Sequence, residues 1–275
     1  MARLGRERAE VMVTVKTYPS PSDKYGETVC VAGVRTDTPS PSWIRLYPVR
    51  FRYSDGGYQF KKYERISVDI VAHGSKDPRV ESYRPDADSI ESLGVVQSDG
   101  DTWASRRVLV GDLIGETTTC ALIATNRMST MDQAAPSLGL VKPIVTRVEL
   151  LQGEDWNPKQ QAKVDRASQP TLMGDELTPL EPAPLGVRYH YRCAEIGCPG
   201  HKQKVIDWEL GQAGRRWIRD VGEKEAAKRV LSKWEDELCA AERDTHFYIG
   251  NQHQRRTTFS VLGTWYARPE EPTLF

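Results

Sequence analysis

The sequence predicts an α+β fold: a β-rich N-terminal part that closes into a small barrel or forms a strongly curved sheet, and a C-terminal α/β part. Three observations carry this. Short alternating or β-branched runs recur through the first third, clusters of Pro, Ser, Gly and Asp separate them, and a long amphipathic stretch comes only near the end. At 275 residues the chain can bury a sizeable core, as one large unit or two smaller ones.

Taken in order, residues 11–18, 28–34, 43–47 and 66–71 read as strands whose close spacing suits a barrel. An apolar stretch at 120–124 fits helix or strand, and 144–151 reads as a strand. Four prolines between 170 and 184, in otherwise unpatterned sequence, indicate a linker or an extended crossing over the surface. The expected divisions are therefore 1–152, 153–185 and 186–275. In the last of these, 187–192 alternates like a strand. Residues 223–243 place Ala227, Val230, Leu231, Trp234, Leu238 and Ala241 on one helix face. Residues 246–249 and 257–266 then form two strands joined by a loop at 250–256.

The start of the chain is charged and lacks the apolar core of a signal peptide, and no 18 apolar residues run together. A cytoplasmic protein with no membrane partner is expected. Thiols stay reduced in that compartment, so an odd total of five cysteines argues against a disulfide framework. The net charge is zero, which leaves only local asymmetry to indicate a partner. Residues 81–116 hold eight acidic residues against three basic ones, whereas 43–65 hold six basic against two acidic.

The stretch from His190 to His201, HYRCAEIGCPGH, gathers two cysteines and two histidines. Cys193 and Cys198, with His201 three residues later, can wrap one ion, and thiolate and imidazole donors suit tetrahedral Zn2+. Pro199-Gly200 supplies the sharp turn that a zinc knuckle requires. His190 is the expected fourth ligand if the strand ends near Arg192; otherwise Asp207, Cys239, His246 or His253 completes the shell. Four good ligands close the coordination sphere, which points to a structural metal.

Trp43 to Arg65 interleaves seven aromatic residues with six cations, the mixture that single-stranded nucleic acid needs for stacking and phosphate contact. Alternation sets Trp43, Arg45 and Tyr47 on one face and the core residues Ile44 and Leu46 on the other. The first face is either a stacking platform or part of a small β core. Arg50, Arg52, Lys61 and Lys62 extend the basic surface, and Arg255 and Arg256 lie in a loop able to touch phosphate.

Asp207 and Glu209 follow the cluster closely. In an extended segment they would share a face as candidate catalytic carboxylates; alternatively Asp207 orients His201, or both acids begin a helix. No His-Glu-x-x-His, glycine-rich phosphate loop or Gly-x-Ser-x-Gly elbow occurs. The reading is a zinc-containing protein that binds nucleic acid, DNA or RNA, with single strands favoured. The alternatives are a metal-dependent hydrolase or nuclease acting on nucleic acid or a nucleotide, and a protein-interaction scaffold.

Overall fold

The computed structural model of the chain describes residues 5–49, 59–74, 77–169 and 178–269. Seven strands form the N-terminal part: β1 (Arg6–Lys16), β2 (Ser20–Ser22), β3 (Gly26–Arg35), β4 (Ser42–Val49), β5 (Glu64–Ala72), β6 (Ser82–Pro85) and β7 (Glu91–Val95). β1 pairs antiparallel with β3 and β5, β3 with β4, β4 runs parallel to β6, and β6 returns antiparallel to β5. These pairings close a five-stranded barrel, while β2 and β7 add to its outside on β3 and β5. Both alternatives left open by the sequence placed a curved β unit here, and the closed one forms.

Period-two alternation fills the barrel. Ala9, Val11 and Val13 of β1 point inward with Ile44, Leu46, Ile66, Val68 and Ile70, all fully buried or nearly so. The next residue out, Met12, belongs to a different core, together with Ala32, Val34, Leu140, Tyr248 and Trp265. The barrel therefore has an apolar outer wall as well as an apolar interior. Where β1 and β3 meet across a bulge, Gly33 has no room for a side chain: a Cβ there would lie 2.5 Å from the Met12 carbonyl oxygen and 2.6 Å from Val11 Cγ1. Gly33→Ala is expected to cost roughly 1–3 kcal/mol by overpacking. Urea unfolding would show this as a lower midpoint with an unchanged slope.

Helices α1 (Ala104–Val110) and α2 (Thr119–Met128) lead to β8 (Leu138–Val141) and β9 (Ile144–Gln152), then α3 (Pro158–Ala167). The chain continues through β10 (Leu185–Arg192), β11 (His201–Lys204), α4 (Trp208–Val221), α5 (Glu223–Leu231), β12 (Asp244–Gln252) and β13 (Arg255–Ala267). One sheet runs β11-β10-β9 and another β13-β12-β8, every pairing antiparallel. β9 and β10 are neighbours, so the proline-rich segment leaves and re-enters a single sheet. On the way α3 meets the barrel, where Lys163 and Arg166 pair with Asp23.

The apolar stretch at 120–124 is helical, capped by Thr118, whose hydroxyl accepts from Ala121 N–H. The helix expected over 223–243 is α-helical only to Leu231 and then widens into a π-turn segment over Ser232–Glu237. Side chains take up carbonyls there: Tyr189 donates to Trp234 O at 2.7 Å and Thr245 to Leu238 O at 2.7 Å. Trp234 and Leu238 stay in the core with Val187, Tyr189 and Phe247. The loop expected at 250–256 is shorter than the sequence suggested, because β12 extends to Gln252 and β13 begins at Arg255. Among the described residues no helix is long and apolar enough to cross a membrane.

Candidate metal centre and adjoining cleft

Three elements converge on one cluster. α2 supplies Cys120 from its first turn, the loop after β10 supplies Cys193 and Cys198, and β11 opens with His201. Their ligand atoms all lie within 4.8 Å of one another, and the four residues can hold a metal ion. His201 Nε2 is 3.5 Å from Cys120 Sγ, 3.6 Å from Cys193 Sγ and 3.3 Å from Cys198 Sγ. Bonds of about 2.3 Å to sulfur and 2.0–2.1 Å to nitrogen would span a tetrahedral nitrogen–sulfur edge of roughly 3.5 Å, and the three distances from His201 lie close to it. Gly197 and Gly200 turn the loop at φ of 79° and 85°, a region that favours glycine.

The electrostatics favour a cation at the centre. Burial pushes the Cys120 thiol up to about 12, reinforced by Cys193 and Cys198 beside it. Burial also works against a Cys198 thiolate, but backbone N–H groups of Cys193 and Gly200 aimed at the sulfur outweigh it and lower this pKa. Burial lowers the His201 pKa, leaving a neutral imidazole with a lone pair to donate. Clustered thiols resist ionising together unless a cation balances them.

His190 is not part of the cluster, which corrects the expected ligand set. Tyr191 is the register partner of His201 and Cys193 follows two residues later, so these three share a face, while His190 points to the other. Its Nε2 lies 2.9 Å from Glu149 Oε2. Cys120 takes the fourth place instead. It is 81 residues from His201 and gave no local spacing signal; a threonine cap followed by a cysteine in the first helical turn was the one available cue. Asp207, Cys239, His246 and His253 are also outside the cluster.

Asp207 and Glu209 do not share an extended face. Asp207 caps α4, accepting from Glu209 N–H at 2.9 Å, and Glu209 lies in the first turn. Lys62 Nζ is 3.5 Å from Asp207 and 3.7 Å from Glu209, and the Lys62 and Asp207 side chains are only 10% and 8% exposed. The helix-start alternative describes these acids, and Lys62 is a buried ion-pair partner rather than a surface cation.

The face bearing Trp43, Arg45 and Tyr47 lies outside the barrel, with Ile44 and Leu46 inside, but the C-terminal sheets cover most of it. Trp43 meets Tyr248 edge to face at 6.1 Å, and Arg45 is buried. Tyr47 alone of the three is exposed, at 38%. Lys61 and Arg255 are exposed, whereas Arg256 is buried, donating to Asn126 and Thr130. Arg50 and Arg52 lie outside the described residues.

Between the barrel and the C-terminal sheets opens a cleft of about 720 Å³. Arg45, Tyr47 and Arg79 line it from the barrel side, Trp156 from the segment after β9, and His253 and Gln254 from the turn between β12 and β13. Arg79 is held by Asp77 through two bonds of 2.8 and 2.6 Å, and this guanidinium keeps the Asp77 carboxyl well below its usual range. Glu154 and Asp155, both exposed, also line the cleft. None of the four clustered Cys and His residues does.

Residues 115–275 match the model of a family described as a domain of unknown function (DUF8757), and residues 7–112 that of a second such family (DUF8758). No curated protein matches the chain. Among solved structures, one titled as a murine DNA binding protein bound with double-stranded DNA aligns over 98% of this chain and 100% of that one, at 6% identity and a TM-score of 0.30. A likeness of that size carries no argument about either fold or function.

Proposed function

The chain belongs to the family described as a domain of unknown function (DUF8757), and since that description names no activity, we propose from the site itself that it is a zinc-containing nucleic-acid-binding protein favouring single strands. The observation that supports this is the cleft, which brings Tyr47 and Trp156 together with Arg45 and Arg79. Rings stack on unpaired bases while guanidinium groups contact phosphate. Of the described residues in 43–65, only Arg45 and Tyr47 line the cleft, and Arg79 and Trp156 join them from elsewhere in the chain. The Cys3His centre serves as its scaffold, tying the start of α2 to the β10–β11 hairpin.

A hydrolytic metal keeps one position open for water, commonly with a carboxylate beside it as general base, whereas the four donors here can fill the shell. Asp207 instead gives one oxygen to the Glu209 N–H and the other to Lys62. Tyr47→Ala tests the binding reading, because Tyr47 is exposed enough to be removed without opening a core. A fluorescent single-stranded oligonucleotide should bind about 1–3 kcal/mol more weakly, with little change in salt dependence, as expected for a lost stacking partner. Lys61→Ala should instead reduce the salt slope by about one and weaken all sequences alike. Unaltered affinity in a folded Tyr47→Ala protein would remove the cleft from the binding surface.

A further inference from the structure

Building on the nucleic-acid reading, we propose that the cleft takes one nucleotide lifted out of its stack, with its phosphate directed to Arg45 and its base against Tyr47 and Trp156. Arg45 is a buried cation on the barrel wall of the cleft. This residue is 3% exposed, and among the described residues no carboxylate lies within ion-pair distance of it. Its Nη1 donates to Cys30 Sγ at 3.0 Å, and its Nη2 to Ser137 O at 3.2 Å and Ser137 Oγ at 3.0 Å. Those bonds occupy at most three of the five guanidinium N–H groups, and Nε has no acceptor. Glu81, also buried, accepts from Arg45 N–H through its backbone carbonyl at 2.7 Å, and its carboxylate is engaged by Ser137 N–H at 2.6 Å rather than by the Arg45 guanidinium. A buried cation held only by neutral groups among the described residues is costly, and an anion arriving from the cleft would offset that cost.

The other groups in the cleft narrow the class of anion. Arg79 is already neutralised by Asp77 and Lys204 is exposed to solvent, so among the described cations lining the cleft Arg45 is the buried one without an ion pair. Exposed Glu154 and Asp155 disfavour an anion near their own side, which keeps the phosphate toward Arg45. The aromatic groups Tyr47 and Trp156 call for a flat ring as well as a charge. A volume of about 720 Å³ is that of a small-molecule site and has room for a nucleotide. A base seated against Tyr47 and Trp156 exchanges stacking on its neighbours for stacking on these rings, which costs least where it is already unpaired.

The test uses the full-length, metal-loaded protein and a single-stranded oligonucleotide carrying 2-aminopurine, whose emission rises when it leaves the stack. Binding should brighten the probe severalfold, and adenosine monophosphate should reverse this at lower concentration than inorganic phosphate. Arg45→Gln, checked for folding by thermal melting, should weaken oligonucleotide binding about tenfold or more, as for loss of a charged hydrogen bond. The competition on wild-type protein decides the matter should that variant not fold. Binding that leaves the probe as dim as in the free strand, or that adenosine monophosphate does not compete, overturns the nucleotide seat and leaves surface binding standing. Failure to bind any oligonucleotide removes the nucleic-acid reading, and the seat with it.

Discussion

Cys198→Ser is expected to release the metal and unfold much of the C-terminal part. The four donors come from α2, the loop after β10 and β11, so one ion would fasten elements distant in sequence. Structural zinc in small sites contributes on the order of 10–16 kcal/mol of apparent binding energy at neutral pH, and where the site forms only on folding that energy belongs to folding. Serine fits the space but is a poorer zinc ligand, and without the ion the remaining thiols sit crowded and buried. Elemental analysis should find about one zinc per chain in wild type and far less in the variant. Circular dichroism should show the variant losing its cooperative melt, and a strong chelator should do the same to wild type over hours. Cys120→Ser is expected to behave like Cys198→Ser, whereas His190→Ala should keep its zinc and lose only the contact with Glu149. Full metal content in Cys120→Ser would refute the ligand set.

Lys62→Met is expected to destabilise the protein by roughly 3–5 kcal/mol at pH 8, the usual result of removing one member of a buried ion pair. The pair joins residues 145 apart in sequence, bracing the barrel against the start of α4. Burial opposes the charge on Lys62, but Asp207 and Glu209 outweigh it and hold its pKa above the ordinary lysine value. Burial pushes the Asp207 carboxyl up to about 6, with Lys62 opposing. A folded pKa above the ordinary 3.8 means that the linked stability is fully present below 3.8 and is lost as pH rises through about 6. The penalty in Lys62→Met should accordingly shrink on acidification, as Asp207 takes up a proton. Adding Asp207→Asn should recover much of the loss at pH 8, since asparagine is neutral and still caps α4. A double variant no more stable than Lys62→Met would show that the pair is not the source of the effect.

The parts of this architecture governed by local rules were legible in the sequence. Val11, Val13, Ile44 and Leu46 alternate because each strand has one face in the barrel, and Cys193, Cys198 and His201 announce themselves because a single loop carries them. The rest depends on distant partners. Alternation put Trp43 and Arg45 on one face but could not say that the Tyr248 sheet covers it. Lysine is seldom buried, so nothing near Lys62 signalled a carboxylate pair 145 residues away. Helix α4 was obscured by Gly211 and Gly214, poor helix formers. A Cβ at Gly211 would fall 2.3 Å from the Tyr18 ring, so close packing from the barrel side required that glycine. Cys120 joined the cluster by the same kind of long-range folding.

The most direct test of the whole account is a titration of metal-loaded wild-type protein into fluorescent oligonucleotides at two salt concentrations, single-stranded DNA and RNA beside a duplex of the same sequence. With a net charge of zero, general attraction is weak and binding must come from the cleft and its surroundings. Saturable binding to the single strands, weaker binding to the duplex and a moderate loss of affinity at higher salt are the predicted result. No saturable binding to any of the three at low salt, by protein that carries its zinc and melts cooperatively, would contradict it.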